Sequence, residues 1–60
     1  MEDRLLLRVD EAAKTLGIGR TLTYRLILSG ELGSVKVAKA RRVPRAALES
    51  YVRQLTEANS

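Results

Sequence analysis

A first helix is predicted by apolar residues that recur at i, i+3, i+4 and i+7, which places them on one helical face: Val9, Ala12, Ala13 and Leu16. Asp10 and Glu11 suit the start of this helix because its positive end stabilises carboxylates. Gly17 is expected to end it, since glycine tolerates the left-handed conformation found at helix ends. The short apolar run before it, residues 4–9, is predicted to be extended.

A second helix is predicted between Gly19 and Gly30. On a wheel of about 100° per residue, one arc packs inward and consists of Leu22, Thr23, Leu26 and Ile27. The opposite arc faces outward and consists of Arg20, Thr21, Tyr24, Arg25 and Leu28. Because only residues 17–19 separate the two helices, we expect them to cross steeply, as in a helix-turn-helix.

The second half of the chain predicts a β-hairpin and a last helix. Residues 34–37 and 41–43 flank a short basic tip, and the first of these segments alternates polar and apolar side chains. Pro44 suits the start of a helix, whose apolar stripe is expected to pack inward: Leu48, Tyr51, Val52 and Leu55. The predicted fold class is therefore mostly α with a small β-hairpin, a winged helix-turn-helix. We expect a single domain over residues 1–60, with its core at about residues 5–55 and a frayed polar tail at residues 56–60.

Composition narrows the function of these 60 residues. Lys and Arg number 11 against 7 acidic residues, giving a net charge of +4, which favours a polyanionic partner. There is no cysteine and no histidine, so we expect no catalytic residue, no metal site and no cofactor. No apolar run approaches the roughly 20 residues of a membrane span, and we expect a soluble intracellular protein with no membrane partner.

The outward arc and the hairpin have the side chains that bind double-stranded DNA. The start of the second helix of a helix-turn-helix meets base edges in the major groove, which predicts contacts from Arg20, Thr21, Tyr24 and Arg25. A basic hairpin reaches the adjacent backbone or minor groove, which predicts contacts from Lys36, Lys39, Arg41 and Arg42. Leu22 and Leu28 are candidate protein contacts. A merely solvated helix face and a charged edge that blocks aggregation remain alternatives, and Arg4, Arg8 and Arg45 stay open between DNA and solvent.

Two stretches of the chain carry a family resemblance: VDEAAKTLGIGRTLTYRLILSGEL and VKVAKARRVPRAALESYV. Together they resemble the winged helix-turn-helix head of the MerR superfamily. Within that superfamily they are most similar to the excisionases, the recombination directionality factors of phages and other mobile elements. The chain departs from that pattern at Arg8 and Gly19, where Ser or Thr is usual, and at Ala38, where glycine is common.

The resemblance implies a non-enzymatic protein that binds attachment-site DNA as adjacent copies, bends it, and directs an integrase toward excision in site-specific recombination. It implies a cytoplasmic location in a bacterial host, at the nucleoid. It matches the family's recognition-helix positions to the four residues of the second helix given above, and its wing positions to Lys39, Arg41 and Arg42. A small MerR-like transcriptional regulator and a recombinase adaptor without DNA binding of its own are the alternatives.

Overall fold

Three helices and a small sheet make up residues 4–59, the part of the chain that this computed structural model describes. In chain order they are β1 (Leu6–Leu7), α1 (Val9–Leu16), α2 (Arg20–Ser29), β2 (Val35–Val37), β3 (Ala40–Pro44) and α3 (Arg45–Ala58). The three strands are antiparallel, with β3 in the middle and β1 and β2 at its sides. The predicted winged helix-turn-helix is confirmed.

The turn between α1 and α2 is fixed by backbone hydrogen bonds at the end of α1. Gly17 has a φ of 75°, and its amide donates to the Lys14 carbonyl at 3.1 Å while the Ile18 amide donates to the Ala13 carbonyl at 3.0 Å. This pair of bonds is a Schellman motif, and the left-handed residue within it favours glycine. Ile18 then packs on the core, which fixes the direction in which the chain enters α2.

Small side chains allow α1 and α2 to approach closely. Ala12 and Ala13 are buried, and so are Thr23 and Leu26 on α2. The Thr23 hydroxyl donates to the Gly19 carbonyl at 2.8 Å, so its burial leaves no polar atom without a partner. Leu22 was predicted to pack inward and is instead 42% exposed, because the buried arc is centred between Thr23 and Leu26 and Leu22 lies at its edge.

The core is completed by residues that follow α2. Leu32, Val43 and Leu48 are buried against Leu26. The Leu32 amide donates to the Leu26 carbonyl at 3.1 Å, which holds the loop after α2 under the helix. The core therefore lies between α1, α2, β3 and the first turns of α3.

The first strand joins the sheet of the wing. Leu6 is paired with Pro44 and Leu7 with Val43, and the Arg45 amide donates to the Leu5 carbonyl at 2.7 Å. The pattern predicted an extended segment here but not its partner. The pairing holds β3 from the side opposite β2 and so anchors the base of the wing to the rest of the domain.

The last helix differs from its prediction in two ways. Val52 and Leu55 were expected to pack and are 46% and 45% exposed, because only the first half of α3, around Leu48, lies over the core. Residues 56–58 were expected to fray but continue α3 to Ala58, while Ser60 lies outside the described residues. At 14 residues α3 is the longest helix between residues 4 and 59, and none there has the length and apolar character needed to cross a bilayer.

Candidate nucleic-acid interface

A basic groove lies where the start of α1, the start of α2 and strand β3 come together. It has a volume of about 360 Å³ and is lined by Arg8, Val9, Asp10, Arg20, Tyr24, Arg41 and Arg42. Four of the predicted DNA-binding residues are therefore neighbours in the fold, namely Arg20, Tyr24, Arg41 and Arg42. The groove contains four guanidiniums and one carboxylate, so its surface is strongly positive.

The groove side of α2 is set by how that helix begins. Gly19 precedes it in an extended conformation, with φ −77° and ψ 160°, and Arg20 is its first residue. Tyr24 stands four residues later and so lies one turn along on the same side. Its side chain is 44% exposed, which leaves the ring and the phenol accessible at the groove.

The wing contributes its two arginines from the central strand. Arg41 is paired with Lys36 across β2 and β3, and its Nη1 donates to the Ser34 hydroxyl at 3.2 Å. The Arg42 Nη1 donates to the Arg41 carbonyl at 2.9 Å. These are bonds to neutral acceptors, and within residues 4–59 none of the four groove guanidiniums forms an ion pair with a carboxylate.

The other predicted DNA-binding residues lie outside the groove. Thr21 and Arg25 are exposed on α2, and Arg25 is about 140° around the helix from Arg20. Lys36 and Lys39 are exposed on the wing, on β2 and in the turn before β3. These four residues are therefore exposed but do not line the groove.

The two leucines predicted as protein contacts are also accessible. Leu28 is 86% exposed on the outward face of α2, and Leu22 is 42% exposed at the edge of its packed face. Leu28 is the most exposed of the large hydrophobic side chains in the described part of the chain. It lies a turn or more beyond the start of α2, away from the groove.

Arg8 and Asp10 line the groove although neither was predicted as a site residue. The sequence left Arg8 undecided between DNA and solvent and assigned Asp10 only to the start of α1. Both come to the groove because the packing of α1 against α2 brings the start of α1 beside the start of α2. The signal available in the sequence was the position of Arg8 directly before the first helix of a helix-turn-helix. Without knowing how α1 packs against α2, that position does not show whether the Arg8 side chain lies in the groove or in solvent.

Two other arginines are held away from the groove. Arg4 forms an ion pair with Glu11, and the Arg45 Nε donates to the Arg4 carbonyl at 2.9 Å. These residues line a separate depression with Leu7 and Thr15. The Glu11 carboxylate is thereby turned toward Arg4, which leaves Asp10 as the carboxylate of the basic groove.

Comparisons with known proteins agree with this geometry. The helix-turn-helix domain family matches residues 6–56. A protein of Saccharopolyspora erythraea named as a probable excisionase is 51% identical over 55 residues, which are 92% of this chain and 56% of that protein. An excisionase of Streptomyces ambofaciens is 43% identical over 54 residues, which are 88% of this chain and 87% of that protein.

The chain thus spans little more than half of the first relative and most of the second. No solved structure gives a significant match. The family match covers nearly the whole described fold, and both relatives carry the same name. The chain therefore belongs to the helix-turn-helix domain family and is an excisionase-type member of it.

Proposed function

We propose that this protein binds duplex DNA at an attachment site and directs an integrase toward excision. The observation that carries the proposal is the basic groove beside the exposed start of α2, where Arg8, Arg20, Arg41 and Arg42 come together without carboxylate partners in residues 4–59. Such a concentration of positive charge next to a recognition helix is what a DNA backbone requires.

In the proposed complex α2 enters the major groove and the wing lies over the adjacent backbone or minor groove. Thr21 and Arg25 are exposed on the surface that would face base edges, and Lys36 and Lys39 are exposed on the wing. With about five phosphates neutralised, the logarithm of the affinity should fall with the logarithm of salt concentration at a slope near −4 to −5.

The role in recombination is architectural. Adjacent copies on the attachment site bend the DNA, and the protein performs no bond-breaking step itself. Leu28 and Leu22 supply the exposed apolar surface for contact with a neighbouring copy or with the integrase. The shared excisionase name of both relatives supports this role.

The DNA-binding part of the proposal is tested with the full chain and a pool of random-sequence duplexes, from which bound molecules are selected and sequenced. We expect one enriched sequence, and an Arg20→Ala/Arg25→Ala double variant that has lost its binding. Arg53→Ala removes a charge from the exposed part of α3 and serves as the control. Failure to bind any duplex at low salt would favour the adaptor function instead.

The recombination part is tested on a plasmid carrying attachment sites together with the integrase encoded nearest to this gene. We expect excision to require this protein and the double variant to be inactive. Binding at a promoter without any effect on excision would assign the protein to the small regulators.

A further inference from the structure

We infer that the basic groove holds the DNA backbone, that Arg8 is one of its phosphate ligands, and that sequence is read by the opposite side of α2, through Thr21 and Arg25. This inference rests on the proposed function and deepens it, because it divides the contact residues into those that position the protein and those that specify a sequence.

The charged residues of the groove come from three separate parts of the chain. Arg8 precedes α1, Arg20 begins α2, and Arg41 and Arg42 belong to β3. Three elements that are distant in the sequence thus bring four like charges together, and within residues 4–59 no carboxylate pairs with any of them. The four guanidiniums repel one another, and a negatively charged phosphodiester bound between them would offset that repulsion by attracting each of them.

The concave shape of the groove matches the DNA backbone. The backbone of a duplex projects outward, whereas base edges lie at the floor of a major groove about 8.5 Å deep. A concave site between α1, α2 and the wing fits a projecting backbone better than a base edge at the floor of a groove. Its volume of about 360 Å³ leaves room for a phosphate group.

The remaining predicted DNA-binding residues of α2 lie outside the groove. Thr21 and Arg25 are exposed and do not line the groove, and Arg25 is about 140° from Arg20 around the helix axis. When Arg20 rests on the backbone, the side of α2 that carries Arg25 faces into the major groove. An arginine there can bind the O6 and N7 atoms of a guanine through two hydrogen bonds.

Asp10 gives the groove a negative group that a phosphate must approach. Its carboxylate lines the groove, is exposed, and forms no ion pair within residues 4–59. Removing its charge with Asp10→Asn should therefore strengthen binding to every duplex by the same factor. This variant tests the site by a gain of affinity, which a damaged fold would not produce.

The experiment measures the affinity of the full chain for its selected duplex and for a scrambled duplex of equal length, each over a series of salt concentrations. Arg8→Ala and Arg20→Ala should weaken both affinities by the same factor and make the salt slope shallower by about 0.9 each. Arg25→Ala should weaken binding to the selected duplex by about 5- to 150-fold more than binding to the scrambled one. Arg53→Ala is the matched loss of one charge outside the interface.

The inference is overturned if Arg8→Ala behaves as Arg53→Ala does, or if Arg20→Ala weakens only the selected duplex. It is also overturned if Asp10→Asn leaves both affinities unchanged. These outcomes require a wild-type protein that binds DNA, so they differ from a failure of the proposed function, in which the wild type binds neither duplex. That failure would overturn the division of contacts as well. Circular dichroism of each variant identifies any loss of affinity that comes from unfolding.

Discussion

Glu11 is the residue that ties the beginning of the described chain to α1. One carboxylate oxygen accepts a hydrogen bond from the Arg8 amide at 2.9 Å, and the other forms the ion pair with Arg4. The bond from the Arg8 amide is the main reason that the pKa of Glu11 lies below its ordinary value of 4.5; partial desolvation opposes this, and the Arg4 charge adds to it. Since the Arg8 side chain has no acceptor, only the glutamate half of a capping box is made.

The lowered pKa of Glu11 predicts a pH-dependent stability. A carboxyl whose pKa is lower in the folded state stabilises the fold above its unfolded pKa, and this contribution is lost as the pH falls through the folded value. We expect Glu11→Gln to melt at a lower temperature than the wild type at neutral pH, and the difference to shrink as the pH falls below about 4.5. Thermal melts followed by circular dichroism measure it.

The control for this prediction is Glu49→Gln, which removes an equal charge from an exposed position of α3. A gap between wild type and Glu11→Gln that stays constant into strong acid would contradict the role assigned to the ionised carboxylate. So would a gap no larger than the one that Glu49→Gln produces.

Single buried residues show where the sequence pattern was sufficient and where it was not. Val9, Ala12 and Ala13 are buried as their helical spacing predicted. Leu32 is 1% exposed but belongs to no periodic stripe, because a hydrogen bond to the Leu26 carbonyl carries it under α2. A loop residue of this kind has no helical or strand spacing that would predict its burial.

Among the elements, the hairpin of the wing contains backbone strain. Ala38 and Lys39 connect the paired residues Val37 and Ala40, and Ala38 has a φ of 57°. A positive φ at the first central residue of a two-residue hairpin turn favours glycine at that position. An alanine there costs about 1–2 kcal/mol in the left-handed region.

Replacing Ala38 by glycine should therefore stabilise the protein. The relief of about 1–2 kcal/mol of strain is partly offset by the ~0.5–1 kcal/mol of extra chain entropy that glycine loses on folding. We expect a net gain of up to about 1.5 kcal/mol in the free energy of unfolding, measured by urea denaturation. Lys39→Gly is the matched control, and it should destabilise by ~0.5–1 kcal/mol because the φ of Lys39 is not positive. Equal effects of the two variants would contradict the turn assignment.

Element boundaries followed the sequence closely where glycine set them. Gly17 and Gly30 both have positive φ, at 75° and 85°, and they end α1 and α2 as predicted. The predicted end of α3 was wrong, because no glycine or proline interrupts the helix before Ala58. The helix therefore continues beyond the part that packs on the core, and the side chains of Val52 and Leu55 are exposed there.

At the scale of the whole molecule, the fold separates basic residues that the sequence could not tell apart. Arg8, Arg20, Arg41 and Arg42 line one groove, whereas Arg45 turns to the carbonyl of Arg4 on another side. Helical spacing predicted which face of α2 is outward. Which arginines from other elements join it depends on the helix crossing and on the sheet, so the groove could not be predicted from spacing.

The last prediction concerns how copies of the whole protein assemble on DNA. Leu28 is 86% exposed, and it lies beyond the start of α2 that the proposed complex places at the DNA. If it contacts a neighbouring protein, Leu28→Glu should reduce cooperative loading of a duplex with several sites by more than it reduces affinity for a single site, while helicity stays unchanged. Band-shift titrations on the two duplexes measure this.

Leu5→Glu is the matched substitution, since Leu5 is 79% exposed directly before β1, and this variant should load as the wild type does. Equal weakening of single-site and multiple-site binding by Leu28→Glu would make Leu28 a DNA contact, as expected of an apolar side chain against a thymine methyl group. Loss of the helical circular dichroism signal in Leu28→Glu would show that Leu28 packs in the fold. Its exposure argues against that outcome, because substitutions of exposed side chains change the free energy of unfolding little.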